Sequence, residues 1–232
     1  MSLNKSKVRG VTLIELLIAM GLGAIVIGAV ITVFSTTVRY NSDNLQMIRL
    51  NQEIRGVMSL ISRDLRRAGY FNSATVTSTY LDTFDGANLG SGHYDCIYFA
   101  YDIDSDGAVS PSDLIAYKLD SGVIKQGTGS VTATPANFNC ASSTVSWEPI
   151  TEYDSSTTDR SDVQITTLQF EPECSVAGGT TVHNDFDCNG ESGIRVRNIT
   201  VTITGQVTTP VDNTVVTRTL TETIKLRNDA GA

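Results

Sequence analysis

The sequence predicts an α+β protein: a long N-terminal helix, half membrane anchor and half amphipathic, packed on an antiparallel β-sheet head. Three observations carry this. Residues 16–38 are 23 consecutive uncharged positions, long enough to cross a bilayer as a helix. Leu50, Ile54, Val57, Ile61, Leu65 and Ala68 then recur at spacings of three and four, which makes one apolar stripe on a continuing helix. From Cys96 onward the apolar pattern shortens to runs rich in Ile, Val, Tyr and Thr, several with strand-like alternation.

The anchor is flagged by its neighbours. Residues 1–10 carry Lys5, Lys7 and Arg9 and no acid, and Glu15 is the single charge between Arg9 and Arg39. The basic leader predicts a cytoplasmic start with the rest of the chain outside. A cleaved secretory signal is the competitor, but the apolar run exceeds the usual length of such signals and no A-x-A-like site follows it. Glu15 is costly in an apolar helix and needs either the interface or a partner. If the chain is cut after Gly10, Val11 becomes a new α-amino terminus one turn away, on its own or a neighbouring subunit.

Gly10 to Leu16, GVTLIEL, resembles the G-F-T-L-I-E-L processing motif of the type IV prepilin superfamily, with Val11 where Phe is usual. The resemblance implies that a membrane-bound prepilin peptidase cuts between Gly10 and Val11, that Val11 is N-methylated, and that Glu15 guides subunit registration. Residues 59–71, SLISRDLRRAGYF, resemble the D-L-R-x-A-G-Y segment of PilW-type minor pilins, relatives of the J-type minor pseudopilins of type II secretion. The closing TIKLRN, residues 223–228, is similar to the last strand of that group. A type IV pilin-like fold follows: leader 1–10, transmembrane half-helix 11–38, amphipathic half-helix 39–69 and β-rich head 70–232. The implied partners are other pilins and minor pilins, prepilin peptidase and the inner-membrane assembly platform. The implied location is the inner membrane as a single pass with a periplasmic head, then a pilus on the cell surface.

Charge is placed unevenly along this chain. The whole carries 25 acids against 17 bases, and loss of the leader would take the net charge from −8 to −11. Residues 39–68 hold six Arg against Asp43, Glu53 and Asp64, whereas residues 70–232 hold 21 acids against eight bases. The net acidity argues against nucleic acid as a partner. The basic helix is either a solvated face or a surface packed against acidic neighbouring subunits or lipid head groups. Gly69 behind the arginine-rich RDLRRA is a predicted helix stop, with cations at the negative end of the dipole, so the helix is expected over Val11–Ala68.

In the head, Cys96–Tyr101, Leu114–Leu119 and Val163–Phe170 read as strands. Ile194–Val207 alternates with a change of phase at Arg197–Asn198, which predicts a bulge or a change of sheet. A turn at Pro210–Asn213 leads to a last strand marked by Val216, Leu220, Ile224 and Leu226, with Thr on the solvent face.

Between the first two strands lies Asp102-Ile103-Asp104-Ser105-Asp106-Gly107-Ala108-Val109-Ser110-Pro111-Ser112-Asp113, a fit to the twelve-residue calcium loop. Asp102, Asp104 and Asp106 take positions one, three and five, Ala108 the backbone-carbonyl position, Ser110 the ninth and Asp113 the twelfth. Ca²⁺ needs six or seven oxygens and Gly107 permits the sharp turn, so a structural Ca²⁺ is expected. An acidic hairpin turn is the alternative. A partial copy at Asp185–Gly190 lacks the twelfth acid and reads as a turn.

Cys96, Cys140, Cys174 and Cys188 all lie on the side predicted to be oxidising, so disulfides are expected. Three connectivities are open. Cys96–Cys140 with Cys174–Cys188 is preferred because it staples two loops without crossing. Two histidines and the absence of G-x-S-x-G, a phosphate loop or HExxH leave enzyme function without support, and no organic cofactor is expected. The function expected is a minor pilin acting in pilus assembly and initiation. A minor pseudopilin of type II secretion and a calcium-dependent tip adhesin are the alternatives.

Overall fold

The computed structural model describes residues 10–72, 92–130, 132–134, 139–141, 143–153, 163–179, 181–184, 188, 195–209 and 213–226. The expectations for the leader before Gly10, for most of the partial acidic copy at 185–190 and for the turn at 210–212 lie outside these residues. The chain divides into two compact units, Met1–Leu45 and Gln46–Ala232.

One helix, α1 (Leu13–Leu65), runs through the boundary between the units. It is shorter at both ends than the expected Val11–Ala68. Thr12 stands outside as the cap, and residues 66–69 close in a turn. The part in the first unit contains a stretch long and apolar enough to cross a membrane, and the large apolar side chains of that stretch are exposed. Thr32, Thr36 and Thr37 donate their hydroxyls to carbonyls four residues back, at 2.9 Å each. That satisfies three hydroxyls such a segment would otherwise offer to lipid.

The second unit carries the core. Its helical part buries Leu50, Ile54, Val57, Met58, Ile61 and Leu65, the face that the spacing predicted, with Ala68 just beyond the helix. Two antiparallel four-stranded sheets meet that face. The first has the order β1-β2-β3-β4, from β1 (Cys96–Ala100), β2 (Leu114–Asp120), β3 (Val123–Gly129) and β4 (Val145–Pro149). The second has the order β6-β5-β7-β8, from β5 (Gln164–Val176), β6 (Val182–His183), β7 (Arg195–Thr208) and β8 (Val215–Lys225). The sheets are tied by the bridge between Tyr94 and Phe170, which exchange backbone hydrogen bonds of 2.8 and 3.0 Å. Strands β3, β4 and β6 escape the apolar pattern. Gln126, Gly127, Thr128 and Gly129 in β3 carry almost no hydrophobic signal.

The expected bulge in β7 is not there. Its pairing with β5 runs without a shift through Arg197 and Asn198, its pairing with β8 is unshifted from Asn198 onward, and the irregularity lies in β5 between Ile165 and Thr167. The physical reason is Arg197. Its side chain is buried and occupies the inward position that Ile199, Val201 and Ile203 continue, so Val196 faces the other way. A polar residue in the core phase looks like a phase change when only apolar residues are counted. On the outer face, Thr200–Thr223, Thr202–Thr221 and Thr204–Thr219 pair hydroxyl to hydroxyl across the strands at 2.9–3.1 Å.

Two covalent links and one polar one fix the head. Cys96 is joined to Cys140 and Cys174 to Cys188, the uncrossed pairing. Separations of 44 and 14 residues correspond to about 4 and about 3 kcal/mol in the chain-entropy account. In the core, Asp64 is 0% exposed, and its two oxygens accept from the Tyr117 hydroxyl at 2.6 Å and from Arg63 Nε at 3.2 Å. Gln126 Nε2 donates to the Tyr117 oxygen at 3.2 Å. Burial, and then the Asp64 charge, push the Tyr117 phenol far above its ordinary range, so it stays a donor to the carboxylate.

Tyr117→Phe removes the donor from a buried carboxylate and is expected to lower the unfolding free energy by about 2 kcal/mol. Denaturant titration of the full chain in detergent measures it, and a change within error would show that Asp64 is satisfied without Tyr117. In denaturant titration without reductant, Cys96→Ser/Cys140→Ser is expected to lower the midpoint further than Cys174→Ser/Cys188→Ser, and the reverse order would show that loop length does not set the two contributions.

Candidate functional site

The first candidate lies at the start of α1. Thr12 Oγ1 accepts the backbone N–H of Glu15 at 3.3 Å, and the N–H of Leu16 bonds the Thr12 carbonyl at 3.2 Å. Thr12 is therefore the N-cap and Glu15 the third helical position, the Thr-x-x-Glu spacing of a capping box. Thr12 was missed in the sequence, although that spacing is its signal. Gly10 and Val11 precede the helix in an exposed segment, so the bond between them is accessible in the free chain. Glu15 sits in the first turn, where a carboxylate complements the helix dipole.

The second candidate is the loop from Asp102 to Asp113. Asp102, Asp104 and Asp106 each offer one carboxylate oxygen within 4.8 Å of the others, a group able to hold a divalent cation. Asp102 is buried, whereas Asp104 and Asp106 are exposed. The turn that gathers them needs left-handed backbone at Ser105 (φ +61°) and Gly107 (φ +76°). Asp102 accepts the backbone N–H of Asp106 at 3.1 Å, of Gly107 at 3.0 Å and of Asn72 at 3.0 Å. The Ala108 N–H donates to Asp106 at 2.7 Å.

The other expected ligands are used differently. Asp113 is fully buried. One of its oxygens accepts the N–H of Ile103 at 2.8 Å, and the other accepts both the N–H and the hydroxyl of Ser110 at 2.8 and 2.7 Å. Ser110 and Asp113 thus form a capping box on the short 3₁₀ turn Pro111–Asp113, outside the group of three carboxylates. Twelve-residue spacing brings the ends of the loop together, but the twelfth residue closes the loop on itself.

The carboxylates are not equivalent. Partial desolvation opposes ionisation of Asp102, but the N–H groups of Asn72, Gly107, Ser105 and Asp106 outweigh it and hold its pKa below the usual range. Asp104 is pushed the other way, by desolvation and by the charges of Asp106 and Asp113. Asp102 therefore stabilises the fold above the carboxylate range and loses that contribution on acidification. Ionised Asp104 opposes the fold until a proton or a cation relieves it.

The loop is joined to the end of the helix. Gly69 (φ +75°) donates to the Ala100 carbonyl at 2.8 Å, Asp102 donates to the Tyr70 carbonyl at 2.8 Å, and Asn72 Nδ2 reaches the Ser105 carbonyl at 3.4 Å. The arginines of the last helical turns stand beside it. Arg66, Arg67, Tyr70, Asp102, Ile103 and Ser105 line one groove. Arg55, Arg63 and Arg66 rim another, with Met58 and Leu220 at its base.

A model of the prokaryotic N-terminal methylation motif matches residues 5–31, spanning Gly10, Val11 and Glu15. A model of prepilin peptidase-dependent protein B matches residues 43–226. No curated protein and no solved structure matches the chain. The second match covers well over half of the 232 residues, and the long apolar helix before two antiparallel sheets is the layout of such proteins. The chain belongs to the prepilin peptidase-dependent protein B family and is a type IV pilin-like protein.

Proposed function

We propose that this chain is a minor type IV pilin, a non-enzymatic filament subunit that takes part in pilus assembly and initiation. The observation that carries the reading is the methylation motif on residues 5–31 joined in one chain to the prepilin peptidase-dependent match on 43–226. On this reading prepilin peptidase cuts between Gly10 and Val11 and Val11 is N-methylated. The apolar half of α1 is stored in the inner membrane with the head in the periplasm, until the assembly platform passes the subunit to other pilins. Glu15, at the third helical position, then sets the register by meeting the α-amino group of a neighbouring subunit. A minor pseudopilin of type II secretion would share these features, and the alternative stands on the same observation.

Coexpression with a prepilin peptidase is expected to give a chain that begins at Val11 and is heavier by one methyl group, read by intact mass. A mature chain beginning elsewhere would remove the filament reading. Glu15→Gln is expected to be cut normally but to be missing from sheared surface filaments. Filaments of unchanged composition would deny Glu15 its registration role.

We propose further that the loop at 102–113 holds one structural Ca²⁺ through Asp102, Asp104 and Asp106, with the Ala108 carbonyl and water completing the shell. The support is the three carboxylate oxygens within 4.8 Å and the upward push on Asp104 from desolvation and then from the charges of Asp106 and Asp113. Calorimetric titration of Ca²⁺ into the chelator-stripped full chain is expected to show one saturable site that raises the Tm, lost in Asp104→Asn. No heat at millimolar calcium would reduce the loop to a hydrogen-bonded turn. Calcium-dependent capture of an external ligand, beyond the Tm shift, would favour a tip adhesin.

A further inference from the structure

We infer that the outer edge of β8, with the arginine groove beside it, takes up an extended acidic segment of a different subunit as one more strand of the second sheet. The inference rests on the filament reading for the existence of such a subunit. The backbone carries the first half of the argument. Among the described residues β8 pairs only with β7 and ends its sheet. It is 11 residues long, against 5 for β4 and 2 for β6 at the other ends. The Leu226 N–H bonds to the Arg197 carbonyl and the Thr209 N–H to the Thr214 carbonyl, so in this register the even-numbered residues of β8 bond to β7. The N–H and C=O groups of Thr217, Thr219, Thr221 and Thr223 therefore point away from β7. No proline and no shift of register interrupts them. An edge of this length is a template for a further strand.

The side chains state what that strand must carry. Val216, Leu220 and Ile224 pack on the core, so Arg218 and Glu222, two residues from Leu220 on either side, stand on the same face of β8. Leu220 and Glu222 form one wall of a groove of about 660 Å³, and Arg55, Met58, Arg63 and Arg66 of α1 form the other. A strand added about 4.8 Å beyond β8 lays alternate side chains along that groove. All five charged exposed positions in residues 46–68 are arginine, the cation whose planar fork matches a carboxylate. Arg63 meets Asp64 and Arg66 meets Glu222, but among the described residues neither Arg55 nor Arg218 has a carboxylate partner. Acids facing the arginines and one apolar residue facing Met58 and Leu220 complete the groove. A second copy of β8 brings one acid and two bases, Glu222 against Arg218 and Lys225, and does not supply that charge.

The probe is a synthetic peptide in which threonine alternates with glutamate around one central leucine, titrated into the full chain in detergent. Saturable binding is expected, weakening as salt is raised and roughly ten-fold or more in Arg55→Glu. Thr221→Pro removes one outward N–H and no bond to β7, so it is expected to keep the Tm and weaken binding at least as much, whereas Thr221→Ala binds like the parent. The same peptide N-methylated on alternate amides keeps its charges and is expected not to bind, a result that does not depend on the folding of any variant. Absence of binding by the parent peptide, binding that survives N-methylation, or equal binding of a peptide with lysine for glutamate would overturn the inference. Dimerisation of the chain that Thr221→Pro abolishes would overturn it in favour of self-pairing, and Arg55-dependent capture of anionic vesicles without peptide binding would assign the face to lipid. Correct processing at Gly10 beside any of these results would leave the filament reading standing and remove only this docking site.

Discussion

One face of one helix organises the second unit. Leu50, Ile54, Val57, Met58, Ile61 and Leu65 can leave water only if both sheets turn an apolar face toward them, at about 2 kcal/mol for each fully buried aliphatic side chain. That requirement fixes the register of every long strand, because a slip of one residue would turn Ile199, Val201 and Ile203 outward. It also sets the closeness of approach. Gly205 on β7 lies under the helix, and a Cβ there would stand 3.0 Å from Leu50 Cδ1 and 3.2 Å from Ile54 Cδ1. The sheet gives up a side chain at that point so that two larger ones from the helix can close on it.

Asp64 is the exception inside this apolar contact. A buried carboxylate is costly unless each oxygen has a partner, and here each does. The cost fixes a geometry: Tyr117 on β2 can reach Asp64 only when the helix and the first sheet meet in one rotation. The same turn of the helix leads through Gly69 to Asn72, whose N–H is taken by Asp102. Helix end, β1 and acidic loop are thus one hydrogen-bonded piece. A charge change at Asp102 acts on the helix exit as directly as on the loop.

What the sequence disclosed follows from how local each signal is. The anchor, the apolar stripe and the Gly69 stop depend on neighbours within one or two turns and could be read from spacing alone. The uncrossed disulfides were legible because loop closure favours short, unentangled pairs. Strands β3 and β4 were not legible, since Gly127 and Gly129 are set by what lies across the sheet. A Cβ at Gly127 would meet Val145 and Trp147, and one at Gly129 would collide with the Pro111 carbonyl. Arg197 misled the strand pattern because hydropathy counts assume that buried means apolar. In the acidic loop, residue spacing gave the three gathered aspartates but not the use of Asp113, whose oxygens are taken by local N–H groups that no ligand template includes.

Charge segregation is the other constraint written into this architecture. The sequence puts arginine on the exposed side of the second half of α1 and acid on the head, although an even mixture would suit a solvated monomer as well. The arginine groove and the acidic loop share Arg66 as a common border, so the two unlike charges meet where the helix ends. The exit of α1 through Gly69 and Asn72 is thus held by hydrogen bonds to the acidic side of that border while its arginines stay in solvent.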